Sequence, residues 1–380
     1  MEFVLIPLII VLGVWVIYWQ TREFELLAYD DAEYTVGCPF VKDGLTLLNV
    51  GAAFSNFTYG GIWMPLTWIS YMMTSTLFGE DAQHWVSVVF HSINVILLWC
   101  LLMRMCNVRD DFWKIAAVFA AVAFWAWHPQ RVESVAWIAS RKDTVFTMFT
   151  LLGLLAWHCG RCGKGLLLML AACMSKPTAM CFPFLALAID ILSTRCIRWK
   201  WYAPLFVFAG VIGGLTMYSQ SYDNPGGLYY GTFAWRLMNG AVALGLQLWH
   251  SFVPEGLHFW YRPTAGEIPL DATKGFLVLA VATVAFAIAF WKCRACALWC
   301  FAAIEPTLGV AGSFGNHAYA DRFTYVPAMA ASLLAATWLG TFRPKVLVPA
   351  LLAVSVAMGG VWRSGTPERS VTTSVGSRGR

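Results

Sequence analysis

Long apolar runs recur along almost the whole chain, and they constrain its fold more than any other feature. Of its 380 residues, 59% are hydrophobic and only 12% are charged, whereas roughly a quarter of the residues in soluble domains are charged. Too few polar side chains remain to cover a soluble core of this size. We therefore predict an all-α fold, a polytopic membrane helical bundle with about 11 or 12 transmembrane helices.

The predicted spans are apolar runs of about 15 to 21 residues, close to the length that a helix needs to cross a bilayer. The first run, Phe3 to Trp19, has no basic segment before it and no cleavage site after it, so we interpret it as a retained helix. Further spans are predicted to begin near Trp85, Phe112, Thr144, Leu166, Thr178, Tyr202, Phe233, Gly275, Ala297, Val326 and Val346.

Two segments outside these runs have distinct character. The polar stretch at 20–82 is too long for a simple connection, which predicts a large functional loop. Within it, Trp63 to Phe78 is too short and too polar to span and is predicted to lie at the membrane interface. Residues 363–380, rich in Ser, Thr, Gly and Arg, are predicted to form a disordered basic tail. The membrane domain is therefore assigned to residues 1–362.

Basic residues predict which side each connection faces, because Lys and Arg are enriched on cytosolic loops. Four connections carry them, at Arg104–Lys114, Arg161–Lys164, Lys292–Arg294 and Arg343–Lys345. Cytosolic placement of these four puts the loops at 20–82, 128–143 and 312–325 on the outer side.

One inconsistency remains in this topology. Arg195, Arg198 and Lys200 also favour the cytosol, so one candidate span must not cross fully. We predict that the exception lies between Tyr202 and Asn239. The net charge of +5 sits in short clusters between apolar runs, which predicts a lipid bilayer and not a nucleic acid as partner. The 11 cysteines form no zinc or disulfide framework. Cys159 with Cys162 and Cys293 with Cys296 have CxxC spacing, which permits a metal or redox role, but we interpret them as solvated thiols at helix ends.

An acidic motif opens the large outer loop. Asp30, Asp31 and Glu33 fall within four residues, so their mutual repulsion can raise one pKa, or a cation can gather them. A carboxylate beside a membrane cavity is a candidate general base for an acceptor hydroxyl. The alternative is a solvated acidic loop without a catalytic role.

Basic residues on the outer side form the second set of candidates. Arg131, Arg141 and Lys142 lie there against the usual charge distribution, so they need an anionic partner such as phosphate. Glu133 is placed to orient Arg131 or to bind a cation. The alternative is a structural network of ion pairs.

Two further clusters complete the candidates. Lys176 lies in an apolar stretch and precedes a helix-breaking proline, which predicts a phosphate ligand beside a cavity, or else a lysine that snorkels to the interface. The last cluster contains Asn316, His317, Asp321, Arg322 and Tyr325, and the outward Trp260–Pro263 segment is placed to join it. Together these loops indicate an enzyme that takes a group from a lipid-anchored phosphate. A channel is less well supported, because it needs rings of like charge.

Five blocks of the chain resemble, in order, a known family. They are YDDAEYTVGCPFVKDGLT (Tyr29–Thr46), MPLTWISYMMTSTLFG (Met64–Gly79), HPQRVESVAWIASRKD (His128–Asp143), SKP (Ser175–Pro177) and ADRFTYVP (Ala320–Pro327). The family is the transmembrane, tetratricopeptide-repeat-associated O-mannosyltransferase-like proteins of the C-type glycosyltransferase superfamily. The resemblance covers about residues 24 to 330, nearly the whole membrane region.

The resemblance implies an enzyme of protein glycosylation with a C-type glycosyltransferase (GT-C) fold. Such an enzyme transfers a sugar, usually mannose, with inversion from a polyprenyl-phosphate donor on the periplasmic or luminal side. The catalytic base maps onto Asp30, with Asp31 as the alternative. Lipid phosphate and sugar binding are assigned to His128, Arg131, Glu133, Arg141, Lys142, Lys176, Asp321 and Arg322.

The chain departs from the family pattern at two positions and in one region. Met64 stands where the family usually has His, and Cys38 stands where it has Asn. No metal ligand is therefore assigned and no cofactor is required, although a divalent cation is left open. The tetratricopeptide array has no counterpart in the sequence, so we do not expect repeats to recognise the acceptor, which is a protein, a glycan or a lipid.

The predicted location is a multi-pass integral membrane protein, of the bacterial inner membrane or of the endoplasmic reticulum in a eukaryote. Two other functions remain open. One is a transporter or flippase for lipid-linked sugars, which needs no base and is often built from inverted repeats. The other is a non-catalytic partner subunit, for which the change at Met64 is the main argument.

Overall fold

A computed structural model describes residues 2–27, 30–108, 111–194, 196–223, 232–251, 253–254, 257, 294–304 and 319–340. Within these ranges the chain is helical and contains no β-strand, which confirms the predicted all-α class. The helices are α1 Glu2–Tyr18, α2 Asp31–Tyr34, α3 Leu47–Ser55, α4 Pro65–Phe78, α5 Gln83–Met105, α6 Phe112–Trp127, α7 Val132–Ala136, α8 Arg141–His158, α9 Cys162–Cys173, α10 Phe182–Ile189, α11 Trp199–Asp223, α12 Phe233–His250, α13 Arg294–Ile304 and α14 Pro327–Leu339.

Three helical segments of the described ranges are long and apolar enough to cross a membrane, namely Leu5–Glu23, Glu80–Met105 and Trp199–Tyr222. Five shorter apolar helices accompany them, at Phe112–Trp127, Cys162–Cys173, Pro177–Ser193, Arg294–Ile304 and Pro327–Leu339. The protein is therefore a helical membrane protein. The spans predicted near Gly275 and Val346, and the basic tail, lie outside the described residues.

Local sequence signals explain where several helices begin and end. The Asp111 carboxylate caps α6 by accepting hydrogen bonds from the backbone N–H groups of Trp113 (3.0 Å) and Lys114 (3.2 Å). A span was predicted from Leu166, but α9 has only 12 residues. It stops before Lys176, whose backbone is extended (φ −156°, ψ 128°), because the following proline disfavours helical geometry there.

The basic connections gather at one end of the bundle, which we call the basic end and define by Arg104, Lys114 and Cys159. The Arg104 guanidinium donates to Cys159 Sγ at 2.9 Å, which joins the ends of α5 and α8. The last turn of α14 reaches the same place, because Gly340 lies beside the Lys114 side chain.

A buried carboxylate holds four segments together at this end. Asp190 is fully buried and accepts hydrogen bonds from Trp157 Nε1 (2.8 Å), Tyr202 Oη (2.9 Å), and Arg198 Nη1 (3.0 Å) and N (3.1 Å). These contacts link α8, α11 and the segments on either side of Asp190. Arg198 therefore lies at the basic end, as its charge predicted.

Asp190→Asn is expected to lower the free energy of unfolding by about 3 kcal/mol, because it leaves Arg198 without its counter-charge and turns an amide towards hydrogen-bond donors. Thermal unfolding of the purified protein in detergent measures this loss. Trp157→Phe removes a single hydrogen bond and should cost only about 1 kcal/mol. Equal stability of Asp190→Asn and the wild type would contradict the structural role.

The opposite end of the bundle holds the large loop, and we call it the site end, defined by residues 30–78 and 128–140. The loop has its own hydrophobic core around Trp68, whose ring centroid lies 5.0 Å from Tyr34, 5.4 Å from Phe40 and 5.6 Å from Tyr59. This core packs on residues 137–139, so the loop is a folded cap on the bundle.

Helices α11 and α12 both end at the site end. Gln220, near the end of α11, donates to the Gly61 carbonyl at 2.7 Å. At the end of α12, Gln130 Nε2 donates to the Gln247 carbonyl at 3.5 Å, and Ser251 Oγ donates to Gln130 Oε1 at 3.0 Å. The sequence predicted a candidate span that does not cross the membrane fully, between Tyr202 and Asn239. Because α11 runs from the basic end to the site end, that span lies after α11.

Candidate active site

Segments far apart in sequence meet at the site end. Leu66 at the start of α4 donates its backbone N–H to the Met174 carbonyl at 3.1 Å, and Thr67 Oγ1 donates to the Ser175 carbonyl at 2.8 Å. Arg322 donates its backbone N–H to the Glu133 carboxylate at 2.8 Å. The acidic loop, the 128–143 segment, the SKP turn and the 320–327 segment therefore lie together at the site end.

Asp31 fixes the acidic motif to the 128–143 segment. Its carboxylate is fully buried, and one oxygen accepts the backbone N–H of Leu27 at 3.0 Å while the other accepts that of Ala139 at 2.9 Å. Burial raises the pKa of Asp31, and the two backbone hydrogen bonds oppose this shift. Asp30, in contrast, is only partly buried. The buried Asp31 is therefore fixed by two backbone hydrogen bonds, whereas the neighbouring Asp30 side chain keeps part of its exposure.

Asp31→Asn is expected to lower the free energy of unfolding by about 1–3 kcal/mol, because the new amide group cannot accept one of the two backbone hydrogen bonds. Turnover should fall while the pH dependence of the remaining activity keeps the shape of the wild type, since Asp30 is intact. Thermal unfolding and a pH–rate profile measure the two effects. A changed profile would transfer the catalytic role to Asp31.

Lys142 is a buried cation that the site does not neutralise locally. Its ammonium group donates to Tyr34 Oη at 3.2 Å and lies 4.6 Å from the centre of the Tyr34 ring. Among the residues that the structure describes, no carboxylate lies within 4 Å of it. Asp30 contributes one of the nearby negative charges. A buried ammonium in this setting is suited to an anionic ligand.

Two ion pairs lie next to Lys142. Lys176 pairs with Asp143, and Arg322 pairs with Glu133, with side chains that are at most 9% exposed. With Lys142 the group holds three cations and two carboxylates, and we call these five residues the cation cluster. Burial lowers the pKa of Lys176, and Asp143 opposes the shift. Burial also raises the pKa of Glu133, and the positive charge of Arg322 opposes this shift. The excess positive charge fits a phosphate monoanion.

A pocket opens onto this cluster. Its enclosed volume is about 10 Å³, which is room for roughly one water molecule. Its lining is formed by Asp143, Phe146, Lys176, Thr178, Cys181, Ala303, Arg322, Phe323, Tyr325, Val326 and Pro327. The lining thus combines both members of the Lys176–Asp143 pair, and Arg322 of the other pair, with apolar side chains.

The other predicted basic ligands lie away from the pocket. Arg141 is enclosed by uncharged acceptors and donates to the Gln83 carbonyl (2.5 Å), Thr74 Oγ1 (3.0 Å) and Ser87 Oγ (3.2 Å). These contacts join α8 to α4 and α5, which indicates a structural role. Arg131 donates to Thr324 Oγ1 at 2.6 Å and lies 5.7 Å from the Tyr325 ring.

His128 and Asp321 belong to a neighbouring polar group. His128 Nδ1 accepts the backbone N–H of Gln130 at 3.2 Å, and Gln130 Nε2 donates to Asp321 Oδ1 at 3.2 Å. His250 Nδ1 lies 3.7 Å from the same carboxylate oxygen. Gln130 and His250 were not predicted, since a single Gln or His gives no charge or spacing signal. Asn316, His317 and Trp260–Pro263 lie outside the described residues.

Tyr325 anchors the last segment of the site to the bundle. Its hydroxyl lies 2.5 Å from His91 Nδ1 and accepts from Asn94 Nδ2 at 3.3 Å, while its carbonyl accepts from Trp125 Nε1 at 2.9 Å. These contacts fix the position of Arg322 three residues earlier. They also explain why His91 is buried within an apolar helix.

The described residues contain no group of three or more His, Cys, Asp or Glu side chains placed to hold a metal ion. Met64, which replaces the family's histidine, is fully buried in the core of the loop.

Comparisons with known proteins point in the same direction as the geometry. The chain is 27% identical over 342 residues to a protein O-mannosyl-transferase of Caenorhabditis elegans. The match covers 81% of this chain and 47% of that protein, so the chain spans about half the length of the relative. No family model matches, and no solved structure matches. The similarity supports a mannosyltransferase-like membrane protein with a glycosyltransferase-type function.

Proposed function

We propose that the protein is an inverting membrane glycosyltransferase that uses a polyprenyl-phosphate monosaccharide as donor. The sugar, mannose or a related hexose, goes to a hydroxyl group of a protein Ser or Thr, a glycan or a lipid. The observation that carries this proposal is the hydrogen bond between Asp31 and Ala139, because it ties the residue next to Asp30 to the segment that leads into Lys142 of the cation cluster. A base for the acceptor and a site for the leaving phosphate thus share one end of the bundle.

The proposed reaction is a single displacement at the anomeric carbon. The acceptor oxygen forms a bond to that carbon and transfers its proton to Asp30, while the bond between the carbon and the phosphate oxygen breaks. Polyprenyl phosphate leaves with the electron pair, and Lys142, Lys176 and Arg322 stabilise its added negative charge. Attack opposite the leaving group inverts the configuration, and no covalent enzyme intermediate forms.

The same proposal places the site end on the outer or luminal side of a multi-pass protein, with the basic end in the cytosol. Lys114, Arg161 and Arg198 then follow the charge rule. Helix α12 does not cross in this topology, because α11 already ends at the site end and only nine residues separate Asp223 from Phe233. Nine residues are fewer than the roughly 20 that a membrane-spanning helix needs. Helix α12 therefore lies along the outer surface.

Sugar transfer by membranes that contain the protein tests the proposal. The membranes are supplied with polyprenyl phosphates that carry radiolabelled mannose or glucose, and membranes without the protein serve as control. Label that reaches an acceptor only when the protein is present supports the enzyme. Bound donor without transfer, in folded protein with several donors, would favour a transporter or a partner subunit.

A further inference from the structure

A second group of buried polar side chains adjoins the cation cluster. Gln130, Arg131, Gln247 and Asp321 form it, and we call these four residues the polar subsite. Gln130 connects them, because its Nε2 donates to Asp321 Oδ1 and to the Gln247 carbonyl while its Oε1 accepts from Arg131 Nη2 at 3.4 Å. The subsite therefore joins the 128–131 turn, the end of α12 and the 321–324 turn.

The side chain of Gln247 lies on the buried face of α12. Ala243, one turn earlier, packs against Tyr319, and His250, nearly one turn later, lies beside Asp321. Residues three and four apart share a face of an α-helix, so Gln247 faces the same segment. Its side chain is fully buried there.

Two members of the subsite keep hydrogen-bonding groups without a protein partner. Neither Oε1 nor Nε2 of Gln247 has one among the described residues, and neither do Nε and Nη1 of Arg131. Both side chains are at most 1% exposed. Burial of such groups costs stability, so their presence beside a candidate active site indicates that a ligand completes them.

The unpartnered hydrogen-bonding groups of Arg131 and Gln247 favour a ligand rich in hydroxyl groups. Arg131 Nε and Nη1 and Gln247 Nε2 donate, whereas Gln247 Oε1 accepts and the Asp321 carboxylate lies nearby. A hydroxyl group both donates and accepts, so several of them satisfy this mixed set. A phosphate only accepts hydrogen bonds, and the Asp321 carboxylate would repel it.

We infer that the polar subsite binds the pyranose ring of the donor, an inference that rests on the proposed function and deepens it. Asp321 belongs to the polar subsite, and the next residue, Arg322, belongs to the cation cluster. The Asp321 carboxylate lies close enough to Glu133 of the cation cluster for its charge to raise the pKa of that carboxyl, so the two sites are adjacent. A hexosyl phosphate, whose ring and phosphate share one bridging oxygen, spans both.

The test compares binding of two lipids to the full chain in lipid nanodiscs, polyprenyl phosphate and the same lipid carrying mannose or glucose. The wild type should bind a sugar-carrying form more tightly. Gln247→Met, which keeps an unbranched side chain of similar length, should weaken that binding about tenfold and leave polyprenyl phosphate binding unchanged. The Tm of the ligand-free variant should rise, because an unsatisfied buried amide is removed.

Gln220→Met is the matched control, because it removes the same group at the site end from a residue whose amide is bonded to Gly61. It should lower Tm and leave the ratio of the two affinities unchanged. The subsite alone is overturned if the wild type does not prefer a sugar-carrying lipid, or if Gln247→Met changes both affinities equally or neither. Absence of binding by either lipid to the folded wild type would overturn the proposed function together with the subsite.

Discussion

Asp30→Asn is expected to reduce the rate of sugar transfer by about 10²–10⁴-fold, the usual contribution of a general base. Asparagine has nearly the shape of aspartate but does not take the acceptor proton. Because Asp30 is only partly buried, the substitution should leave folding intact. Single-turnover transfer from a labelled donor measures the rate directly.

Two comparisons make this result specific. Donor binding by Asp30→Asn should equal that of the wild type, because the cations that hold the phosphate are unchanged. Asp31→Asn should instead lose stability together with part of its activity, since its carboxylate accepts two backbone hydrogen bonds. Full transfer activity in Asp30→Asn would exclude this residue as the base, and retained lipid transport with no dependence on Asp30 would favour the flippase.

Lys142→Met is expected to lower kcat/KM for the donor about 100-fold, the effect of removing one preorganised charge from a transition state. The ammonium group is buried and lies beside Tyr34 without a carboxylate close to it in the described part of the chain. Its removal therefore breaks no ion pair, and the Tm of the ligand-free protein should stay the same or rise.

A loss of kcat/KM without a loss of Tm would distinguish Lys142 from the neighbouring Lys176. Lys176→Met should lose donor affinity and stability together, because Asp143 remains buried without its partner. Lys114→Met, an exposed change at the basic end, is the matched control and should alter neither quantity. If Lys142→Met unfolds the protein at a lower temperature and binds donor normally, Lys142 is a structural residue.

Much of the fold followed from the sequence because the bilayer imposes simple rules. Apolar runs predicted helices near Trp85, Phe112 and Tyr202, and the structure has helices that begin at Gln83, Phe112 and Trp199. The basic connections predicted which ends lie together, as the contact between Arg104 and Cys159 shows. The spans on either side of Lys176 were less well predicted. The turn at Pro177 ends helix α9 early, and a hydropathy pattern does not show such a turn.

The sequence predicted segments that meet at the site end, but not the contacts of their single residues. Arg141 and Lys142 are consecutive, and a helix turns about 100° between them. One therefore faces the uncharged acceptors of α4 and α5, while the other faces Tyr34 and the cation cluster. Gln247 could not be selected from the sequence, because a single amide in an apolar helix forms no pattern. Only the structure shows that its side chain is buried against the 319–321 segment.

The ion pair between Glu133 and Arg322 joins residues 189 positions apart. During biosynthesis, the two partners are therefore made at different times. At about 5–20 residues per second, a ribosome needs roughly 10–40 s to add that much chain. During this interval, the newly synthesised Glu133 lacks its counter-ion. A nascent chain that stalls before Arg322 therefore leaves the Glu133 carboxylate unpaired, and its 128–143 segment lacks the contact with the 320–327 segment.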